Sequence, residues 1–562
     1  MQSKTLWTKT LSEEFWSGVV SPLMFSLAGG LIEERMARKG IRMAGLRNLE
    51  NERFFKLFGG QVYLNVRILE EIVKLIPSVF LTPEMLRFFP KEIEQDLSGV
   101  HVSFFSPQTL RILFRLFGMD KDWAPFFNYK AFASHVARLE QGRRSRSAAE
   151  EGKMSVPELL ARSELLWREM GDYLDIVTWG MVFAYVFHPL TEILARNWAG
   201  DREGELAKVL TVGLDGVKTF EINREMEILA ERADADPYLG RLFRTRKAKA
   251  ILRSLAQRPE GKAFSRDFQE FLDRHGHRFN GRDILHPTWR ECPEIVLDMI
   301  KINLGSNRAR KSLEQQRQKR KQAEVELKER IRRGRLGNSK VALFSLSLQY
   351  NQKYFVIREN MRYHSDLFLE QFRRLYLEIG RRWQSEGRIR IASDVAYLTR
   401  DEIAEACRGR SKVLSQVERR KREYKQYRFL RTPEVITDDT RLGPAVRPPE
   451  EERMLLRGEA ASPGSVTGIA RVIRQPRDIL AFQKGEILVS EYADPSWTPI
   501  LSAAAGMVIE AGGFLSHGSI VAREYGIPAL VQVEHAMERI RSGDRLELDT
   551  AEECVRVERE SS

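Results

Sequence analysis

The sequence is poor in the residues and segments that mark secreted, metal-binding and membrane proteins. Its 562 residues include only three cysteines, at positions 292, 407 and 554, too far apart to form a paired thiolate motif. Residues 1–18 contain glutamates and tryptophans where a signal peptide would have a continuous apolar segment. The most apolar segment, 176–187, is too short to cross a bilayer and predicts a buried helix. These features predict a cytoplasmic protein of about two or three domains, with no membrane partner.

Positive charge is in excess, with 91 Lys and Arg against 78 Asp and Glu and a formal net charge of +13. Much of it lies in residues 308–335, where glutamates are interspersed with basic residues and apolar residues are sparse. This pattern is typical of a solvated helix held by ion pairs. No zinc-finger spacing, aromatic RNA-binding motif or helix-turn-helix accompanies it, so nucleic-acid binding stays an alternative that the sequence does not favour.

Two hydrophobic patterns divide the chain. Up to residue 431, apolar residues recur at intervals of three and four, which predicts a large, mainly α-helical region with a charged helix at about 306–336. Residues 432–458 are rich in proline and charge and predict an interdomain linker. Residues 459–562 predict a small α/β domain, so the expected fold class is multidomain, α + α/β. Its β-branched runs place strands at 466–473, 486–490, 506–510, 528–533 and 545–550.

One of the nine histidines lies among small residues near the end of the chain. In the segment AGGFLSHGSIVAREY, His517 follows two glycines and Ser516, where a strand-like run gives way to helical spacing. The histidine should begin a helix, where backbone N–H groups and the helix dipole favour an anion such as a phosphoryl group. A neutral imidazole is a nucleophile near pH 7, and small neighbours leave room for in-line attack. From the residues alone, a phosphoryl carrier and a helix-capping surface histidine are equally open.

Other basic residues are candidates for binding the transferred group. Arg358 and Arg362 are four apart in VIRENMRYH, so both project from one face of the predicted helix and can bind phosphate together. A solvated basic face is the alternative.

Three histidines are candidates for other roles. His364 is a candidate general base for an acceptor hydroxyl, with a packed histidine as the alternative. His275 and His277 are two apart in RHGHR, but no cysteine or carboxylate lies at a recognised ligand spacing, so we predict no metal site.

The order of motifs in the last hundred residues carries a resemblance. ASPGSVTGIARVI and EILVSEYADPSWTPILSAAAGMVIEAGGFLSHGSIVAREYGIPALV resemble the swivelling β/β/α phosphohistidine domain of PEP-utilising enzymes such as phosphoenolpyruvate synthase, pyruvate phosphate dikinase and rifampin phosphotransferase. The resemblance implies that His517 accepts a phosphoryl group originating from ATP and carries it to a second site. It implies phosphate-orienting roles for Ser516, Gly518, Gly513 and Arg523. Gly518 follows the rifampin-type pattern and not the alanine of the dikinases.

Weaker matches extend over the helical part. FWSGVVSPLMFSLAGG, FGGQVYLNVR, FLDRHGHRFNGRDILHPTWRECPE and VIRENMRYHSDLFLEQFRRLYLEIGRR resemble successive pieces of the acceptor-binding domain of the rifampin-type enzymes. The resemblance implies that Arg358 and Arg362 meet the phosphohistidine at the acceptor site.

A nucleotide-binding segment does not occur in this sequence. Full-length members of the family begin with an ATP-grasp domain, whereas residue 1 already falls at an acceptor-domain motif and no glycine-rich nucleotide loop follows. We therefore expect a dikinase-type phosphotransferase component that works with a separate ATP-grasp protein. That partner would bind ATP and Mg²⁺, and His517 would pass the phosphoryl group to a small-molecule acceptor in the helical region. The alternative is a non-catalytic binding or regulatory protein derived from such an enzyme.

Overall fold

The chain folds into two compact units, each assembled from three stretches of sequence. Unit 1 contains Met1–Arg202, Arg282–Leu285 and Ile331–Ala445, and unit 2 contains Glu203–Gly281, His286–Arg330 and Val446–Ser562. The structure is a computed structural model. It describes residues 5–10, 12, 16, 18–78, 81, 86, 89, 91–103, 106–107, 125–144, 151–279, 281, 283–305, 308–409, 413–427, 430, 432–441, 453–474, 476–513 and 516–559.

Helices account for most of the described residues before 431, and strands are concentrated after 453. The strands are β1 (Leu6–Thr8), β2 (Phe55–Phe58), β3 (Gln61–Asn65), β4 (Val435–Thr437), β5 (Arg453–Arg457), β6 (Glu459–Ser462), β7 (Ser465–Ile473), β8 (Ile487–Ser490), β9 (Gly506–Ile509), β10 (Ala529–Val531), β11 (Arg545–Asp549) and β12 (Cys554–Glu558). The α-helices are α1 (Pro22–Met24), α2 (Arg38–Ala44), α3 (Val66–Val73), α4 (Lys91–Ser98), α5 (Pro125–Arg144), α6 (Val156–Ala199), α7 (Glu205–Lys208), α8 (Lys218–Ala235), α9 (Pro237–Thr245), α10 (Ala248–Leu255), α11 (Pro259–His275), α12 (Pro293–Ile302), α13 (Arg308–Arg332), α14 (Gly337–Ser385), α15 (Arg400–Arg408), α16 (Leu414–Tyr427), α17 (Thr498–Leu501), α18 (His517–Tyr525) and α19 (Ala536–Arg539). Two π-helical segments, Phe25–Gly29 and Ile32–Ala37, lie between α1 and α2, and short 3₁₀ turns occupy Arg47–Leu49, Ala392–Tyr397, Pro476–Ala481 and Pro495–Trp497.

Unit 1 is built on the long helices α6 and α14, which pack along each other. Helix α6 begins at Val156 because Ser155 and Glu158 form a capping box, and it ends where Gly200 adopts a left-handed conformation. Aromatic rings join the two helices. The Phe187 ring lies 5.3 Å from the Tyr350 ring in a stacked arrangement.

The predicted buried helix at 176–187 forms the middle of α6. By length and composition α6 is apolar enough to cross a membrane, but these two properties do not distinguish a membrane span from a core helix. The segment is only partly buried, because Val177, Trp179, Gly180 and Ala184 are the buried residues within 176–187. Packing on α14 covers part of its apolar surface within unit 1: Phe183 lies 5.2 Å from Tyr354, and Tyr173 lies 5.4 Å from Phe368.

A four-stranded sheet in unit 1, in the order β2-β3-β1-β4, joins both ends of the helical region. Strand β4 pairs antiparallel with β1 inside the segment predicted to be a linker. The indole of Trp7 donates to Asp438 at 3.0 Å, and Lys56 lies 2.8 Å from the same carboxylate, whose pKa is lowered mainly by that lysine. The structure therefore shortens the predicted 432–458 linker: only 442–452 separate the paired segment from β5, and these residues lie outside the described ones.

The C-terminal part of unit 2 is an eight-stranded sheet in the order β5-β12-β11-β7-β8-β9-β10-β6. All five predicted strands form, as β7 to β11, and the parallel pairs β7-β8, β8-β9 and β9-β10 lie together. The two end strands, β5 and β6, are consecutive in the chain and meet at Gly458. A Cβ there would lie 2.5 Å from Val533 and 2.7 Å from the Val531 carbonyl oxygen, so the corner requires glycine. The fold class is confirmed in its coarse form, a large helical region with a C-terminal β-sheet domain.

The helices α7 to α13 belong to unit 2, so the predicted helical region 1–431 does not pack as a single unit. The predicted charged helix forms as α13, but it is not solvated on all sides. Leu327 is fully buried, and the guanidinium of Arg320, 7% exposed, donates to the Val212 carbonyl oxygen at 2.8 Å. The sparse apolar and small residues of this helix therefore form a buried face. The high charge content of the sequence gives no indication of it.

Candidate active site

A glycine loop connects strand β9 to helix α18 and sets the start of that helix. Gly512 has a φ of +97°, a conformation that L side chains rarely adopt, and a Cβ there would lie 3.2 Å from the Ser516 Cβ. Ser516 is the N-cap of α18, and its hydroxyl oxygen accepts the Ser519 N–H at 3.4 Å. The Ser519 hydroxyl donates to the Gly513 carbonyl oxygen at 2.7 Å. The loop and the first turn are therefore held together; Phe514 and Leu515 lie outside the described residues.

His517 is the first residue of α18, as predicted, and its side chain is half-buried. Its Nε2 lies 2.9 Å from the hydroxyl oxygen of Thr498, which is fully buried. If the hydroxyl donates, Nδ1 carries the ring proton; if it accepts, Nε2 carries it. In either case the hydrogen bond orients the imidazole and couples its tautomer to the direction of the Thr498 hydroxyl.

The segment DPSWTP holds Thr498 in place. The buried carboxylate of Asp494 accepts the N–H of Ser496 at 2.8 Å and its hydroxyl at 2.7 Å, which closes the turn. The Trp497 ring, 1% exposed, stacks on Tyr492 at 5.8 Å. The contact of this segment with the histidine joins residues 19 apart, which no local sequence pattern reveals.

Gly518 lies where α18 meets the same turn. A Cβ at this position would lie 2.8 Å from the Ala493 Cβ, closer than real carbon atoms approach. Glycine is therefore needed here for close packing, which seats the first turn of α18 against the Thr498 segment.

The structure places Arg523 in the last turn of α18, about 9 Å along the axis from His517. Its guanidinium donates to the Ala461 carbonyl oxygen of β6 at 3.2 Å. This bond ties the helix to the sheet, and a phosphate-orienting role of Arg523 stays a prediction.

The geometry around His517 suits a phosphoryl carrier. Backbone N–H groups of the first helical turn have no partners within the helix, so a negative group on the ring would lie in their field. The ring is half-buried, and its Nε2 is held by Thr498. A positioned nucleophile next to preorganised N–H donors provides the two things that phosphoryl transfer requires, alignment and charge stabilisation.

Arg358 and Arg362 lie in unit 1, on α14, and both side chains are mostly buried, with 16% and 19% exposed. The Arg358 guanidinium lies 5.7 Å from the ring centre of Tyr185. Arg362 Nε lies 3.2 Å from the Asp366 carboxylate, which is 1% exposed. The arginine pair is thus held by neighbours within unit 1 and is not a freely solvated basic face.

His364 lies two residues beyond Arg362 and therefore points to nearly the opposite side of α14. It is 2% exposed, and its ring packs against Phe132 at 5.7 Å, Tyr173 at 6.4 Å and Tyr363 at 5.4 Å. This surrounding favours the packed-histidine alternative over a general base.

The RHGHR segment is also packed. His275 Nε2 lies 3.1 Å from the Glu225 carboxylate, and His277 is fully buried. Burial lowers the pKa of His275 although Glu225 opposes the shift, while the pKa of Glu225 is lowered because His275 and Arg274 outweigh its own burial. Among the residues that the structure describes, no group of three or more His, Cys, Asp or Glu side chains is arranged to hold a metal ion.

Comparison with known proteins finds relatives of both the helical region and the C-terminal domain. The family profile "Rifampicin phosphotransferase fourth domain" matches residues 177–359, and "PEP-utilising enzyme, mobile domain" matches residues 482–553. Rifampicin phosphotransferase of Streptomyces sviceus is 30% identical over 367 residues, 64% of this chain and 42% of that protein. The chain is a homologue of the rifampicin phosphotransferases.

Two further relatives of the chain have other names. The prodigiosin synthesizing transferase PigC of Serratia marcescens is 29% identical over 413 residues, 69% of this chain and 45% of that protein. Phosphoenolpyruvate synthase of Aquifex aeolicus is 42% identical over 110 residues, 19% of this chain and 13% of that protein. The chain spans less than half the length of the curated relatives it matches.

Proposed function

We propose that this protein is the phosphoryl-carrying and acceptor-binding component of a phosphotransferase, with His517 as the carrier. The observation that carries the proposal is the half-buried imidazole at the first residue of α18, fixed through Nε2 by the buried hydroxyl of Thr498. Homology of the surrounding domain to the mobile domain of PEP-utilising enzymes supports it. A residue that only capped the helix would need neither an imidazole ring nor the buried Thr498 hydroxyl as its partner.

In this proposal the phosphoryl group comes from ATP held with Mg²⁺ by an ATP-grasp protein. An imidazole nitrogen attacks the β phosphorus of ATP, the P–O bond to AMP breaks, and a pyrophosphorylated histidine forms. Water then attacks the terminal phosphorus, the P–O bond between the two phosphoryl groups breaks, inorganic phosphate leaves and a phosphohistidine remains. The C-terminal domain then swivels to the helical region, where an acceptor hydroxyl attacks phosphorus and the N–P bond breaks. The overall products are AMP, inorganic phosphate and the phosphorylated acceptor, with one water molecule consumed.

The arginine pair of α14 is the proposed acceptor-side clamp. Guanidinium groups bind phosphate oxygens with charge-assisted hydrogen bonds and stabilise charge that builds up during transfer. In the resting structure the Arg362 guanidinium faces Asp366, so an incoming phosphate competes with a carboxylate already in place. The names of the relatives suggest small organic acceptors, and rifampicin is the first probe to test.

The proposal is tested by separating phosphorylation of His517 from transfer. Potassium phosphoramidate phosphorylates histidine directly: its N–P bond breaks, the imidazole N–P bond forms and ammonia leaves. We expect one acid-labile phosphoryl group per chain, absent from His517→Asn. ATP labelled in both β and γ phosphates, mixed with the ATP-grasp domain of a rifampicin phosphotransferase, should label the same residue. Full labelling of His517→Asn would refute the assignment.

Transfer is tested with the phosphorylated chain and rifampicin. Loss of label from the protein with its appearance on the drug is the expected result. Arg358→Gln and Arg362→Gln should slow this step by at least about tenfold, because a charge-assisted hydrogen bond contributes about 1.5–3 kcal/mol, and should leave phosphoramidate labelling unchanged. Equal loss in both steps would argue for a structural role of the pair.

A further inference from the structure

The helical residues of unit 2, 203–281 and 286–330, contact the C-terminal end of the phosphohistidine helix α18 and the segment around α17, which carries Thr498. These contacts are hydrogen bonds from polar side chains and backbone groups that are nearly all buried. Their partners on the helical side, such as Asn223 and Asn303, have no part in the proposed chemistry.

At the C-terminal end of α18, two consecutive side chains are bound. The Glu524 carboxylate, 3% exposed, accepts the backbone N–H of Gly213 at 2.8 Å. The side-chain amide of Asn223 donates to the hydroxyl of Tyr525, and burial strongly raises the pKa of that tyrosine. Buried groups of this kind impose one register on an interface because each is costly to leave unpaired.

The carbonyl groups of the same helix end are bound by α13. The Ser312 hydroxyl donates to the Glu524 carbonyl oxygen, and the Gln316 amide donates to that of Arg523 at 3.0 Å. The last carbonyl groups of a helix have no partners within it and usually bind water or capping groups. Here the buried face of the charged helix supplies those partners.

The other contact lies next to the catalytic histidine. Asn303, 2% exposed, donates to the Pro499 carbonyl oxygen at 2.9 Å, and the Ser502 hydroxyl lies 3.3 Å from its amide oxygen. Pro499 directly follows Thr498, whose hydroxyl contacts His517. Asn303 therefore acts on the histidine through one intervening residue.

We propose that the helical residues of unit 2, 203–281 and 286–330, form a docking platform for the phosphohistidine domain, and that Asn223 and Asn303 are positioning residues that hold His517 in the docked pose. The inference rests on the proposed function. The Phe220 ring also lies 6.3 Å from the Tyr525 ring, so polar and aromatic groups together define the docked pose.

Docking has a consequence for phosphorylation. Asn303 of the platform contacts Pro499, the residue next to Thr498. A donor of protein size that approaches His517 should therefore collide with the platform, whereas phosphoramidate is small enough to avoid it. Removing a hydrogen bond between the platform and the phosphohistidine domain should therefore speed phosphorylation of His517 by an ATP-grasp protein. Phosphorylation by phosphoramidate should stay unchanged. A residue with a merely structural role would slow both.

The test compares Tyr525→Phe with Tyr63→Phe. Both variants remove a buried tyrosine hydroxyl, but Tyr63 donates to the Pro433 carbonyl oxygen in unit 1, away from the platform. Loss of one buried hydrogen bond shifts the docking equilibrium by about fivefold. We expect the ATP-grasp domain of a rifampicin phosphotransferase to label Tyr525→Phe up to about fivefold faster than the wild type, and Tyr63→Phe at the wild-type rate. Slower labelling of Tyr525→Phe by either donor would overturn the proposal.

Amide hydrogen exchange gives a readout that needs no donor. The Gly213 N–H bonds to Glu524 across the interface, so its exchange reports docking directly. In Tyr525→Phe it should exchange about fivefold faster, while amides of β11 in the sheet core keep their rate. Unchanged exchange at Gly213 would overturn docking. If His517 of the wild type is labelled by neither donor, the proposed function is wrong. The hydrogen-exchange rate of Gly213 still tests, independently of that outcome, whether the phosphohistidine domain separates from the platform.

Discussion

Replacing Gly518 by alanine should separate correct folding from correct alignment of His517. The new Cβ would lie 2.8 Å from the Ala493 Cβ, whereas ordinary contacts are 3.4–4 Å. The first turn of α18 must therefore move by at least about 0.6 Å relative to the turn that carries Thr498. Overpacking of this size costs about 1–3 kcal/mol of stability. A misplacement approaching 1 Å at a reacting group costs up to about 100-fold in rate, so we expect Gly518→Ala to be phosphorylated about 10- to 100-fold more slowly.

The assay is the initial rate of acid-labile labelling by potassium phosphoramidate, with circular dichroism and thermal unfolding to establish that the variant is folded. Ala493→Gly in the same chain is the matched rescue, because it removes the opposing methyl group and leaves the Met507 Cε, 3.7 Å away, as the nearest remaining neighbour. The double variant should recover most of the rate. A wild-type rate in Gly518→Ala, or a double variant as slow as the single one, would refute the steric reasoning.

Three further outcomes follow from the contacts of unit 2. In Thr498→Val the tautomer ratio of His517, read from ¹⁵N chemical shifts, should move towards that of a free imidazole, while Thr498→Ser should keep the wild-type ratio. Gly512→Ala should lose about 1–3 kcal/mol in urea unfolding because its φ is +97°, whereas Gly513→Ala should be nearly neutral because the nearest atom to its Cβ is 4.0 Å away. Because burial lowers the pKa of His275 below its usual 6.5, the unfolded chain binds a proton that the folded chain does not, and the free energy of unfolding should fall from pH 7 to pH 5. That part of the pH dependence should be absent from His275→Gln.

The sequence predicted the elements that depend on local pattern. The five β-branched runs became β7 to β11, and the glycine-serine segment placed His517 at the start of α18. Strands β1 and β4 have only three residues each and pair across more than 400 residues of chain, so neither their length nor their neighbours marked them. A pairing of that range is decided by the packed fold and leaves no local periodicity.

The candidate site was predictable in its nucleophile and not in its support. Thr498 stood in the recognised DPSWTP motif, yet its role depends on a side-chain contact that composition does not encode. Of the interface residues, Ser312 lies in the helix whose charge predicted solvent exposure, Asn223 lies in α8, and Asn303 caps the C-terminus of α12. Polar side chains that face another part of the same chain look, in one sequence, the same as those that face water.

The anchored strand β4 limits how far the C-terminal domain can travel. The predicted linker 432–458 would have allowed a long reach, but pairing of β4 with β1 leaves eleven residues, 442–452, between Arg441 and β5. Fully extended, that stretch spans about 40 Å. In the proposed mechanism, any swing of His517 away from the platform must fit within the reach of that segment. Insertion of ten Gly-Ser residues after Arg441 should then speed phosphorylation by the ATP-grasp protein if that reach is limiting, and leave phosphoramidate labelling unchanged.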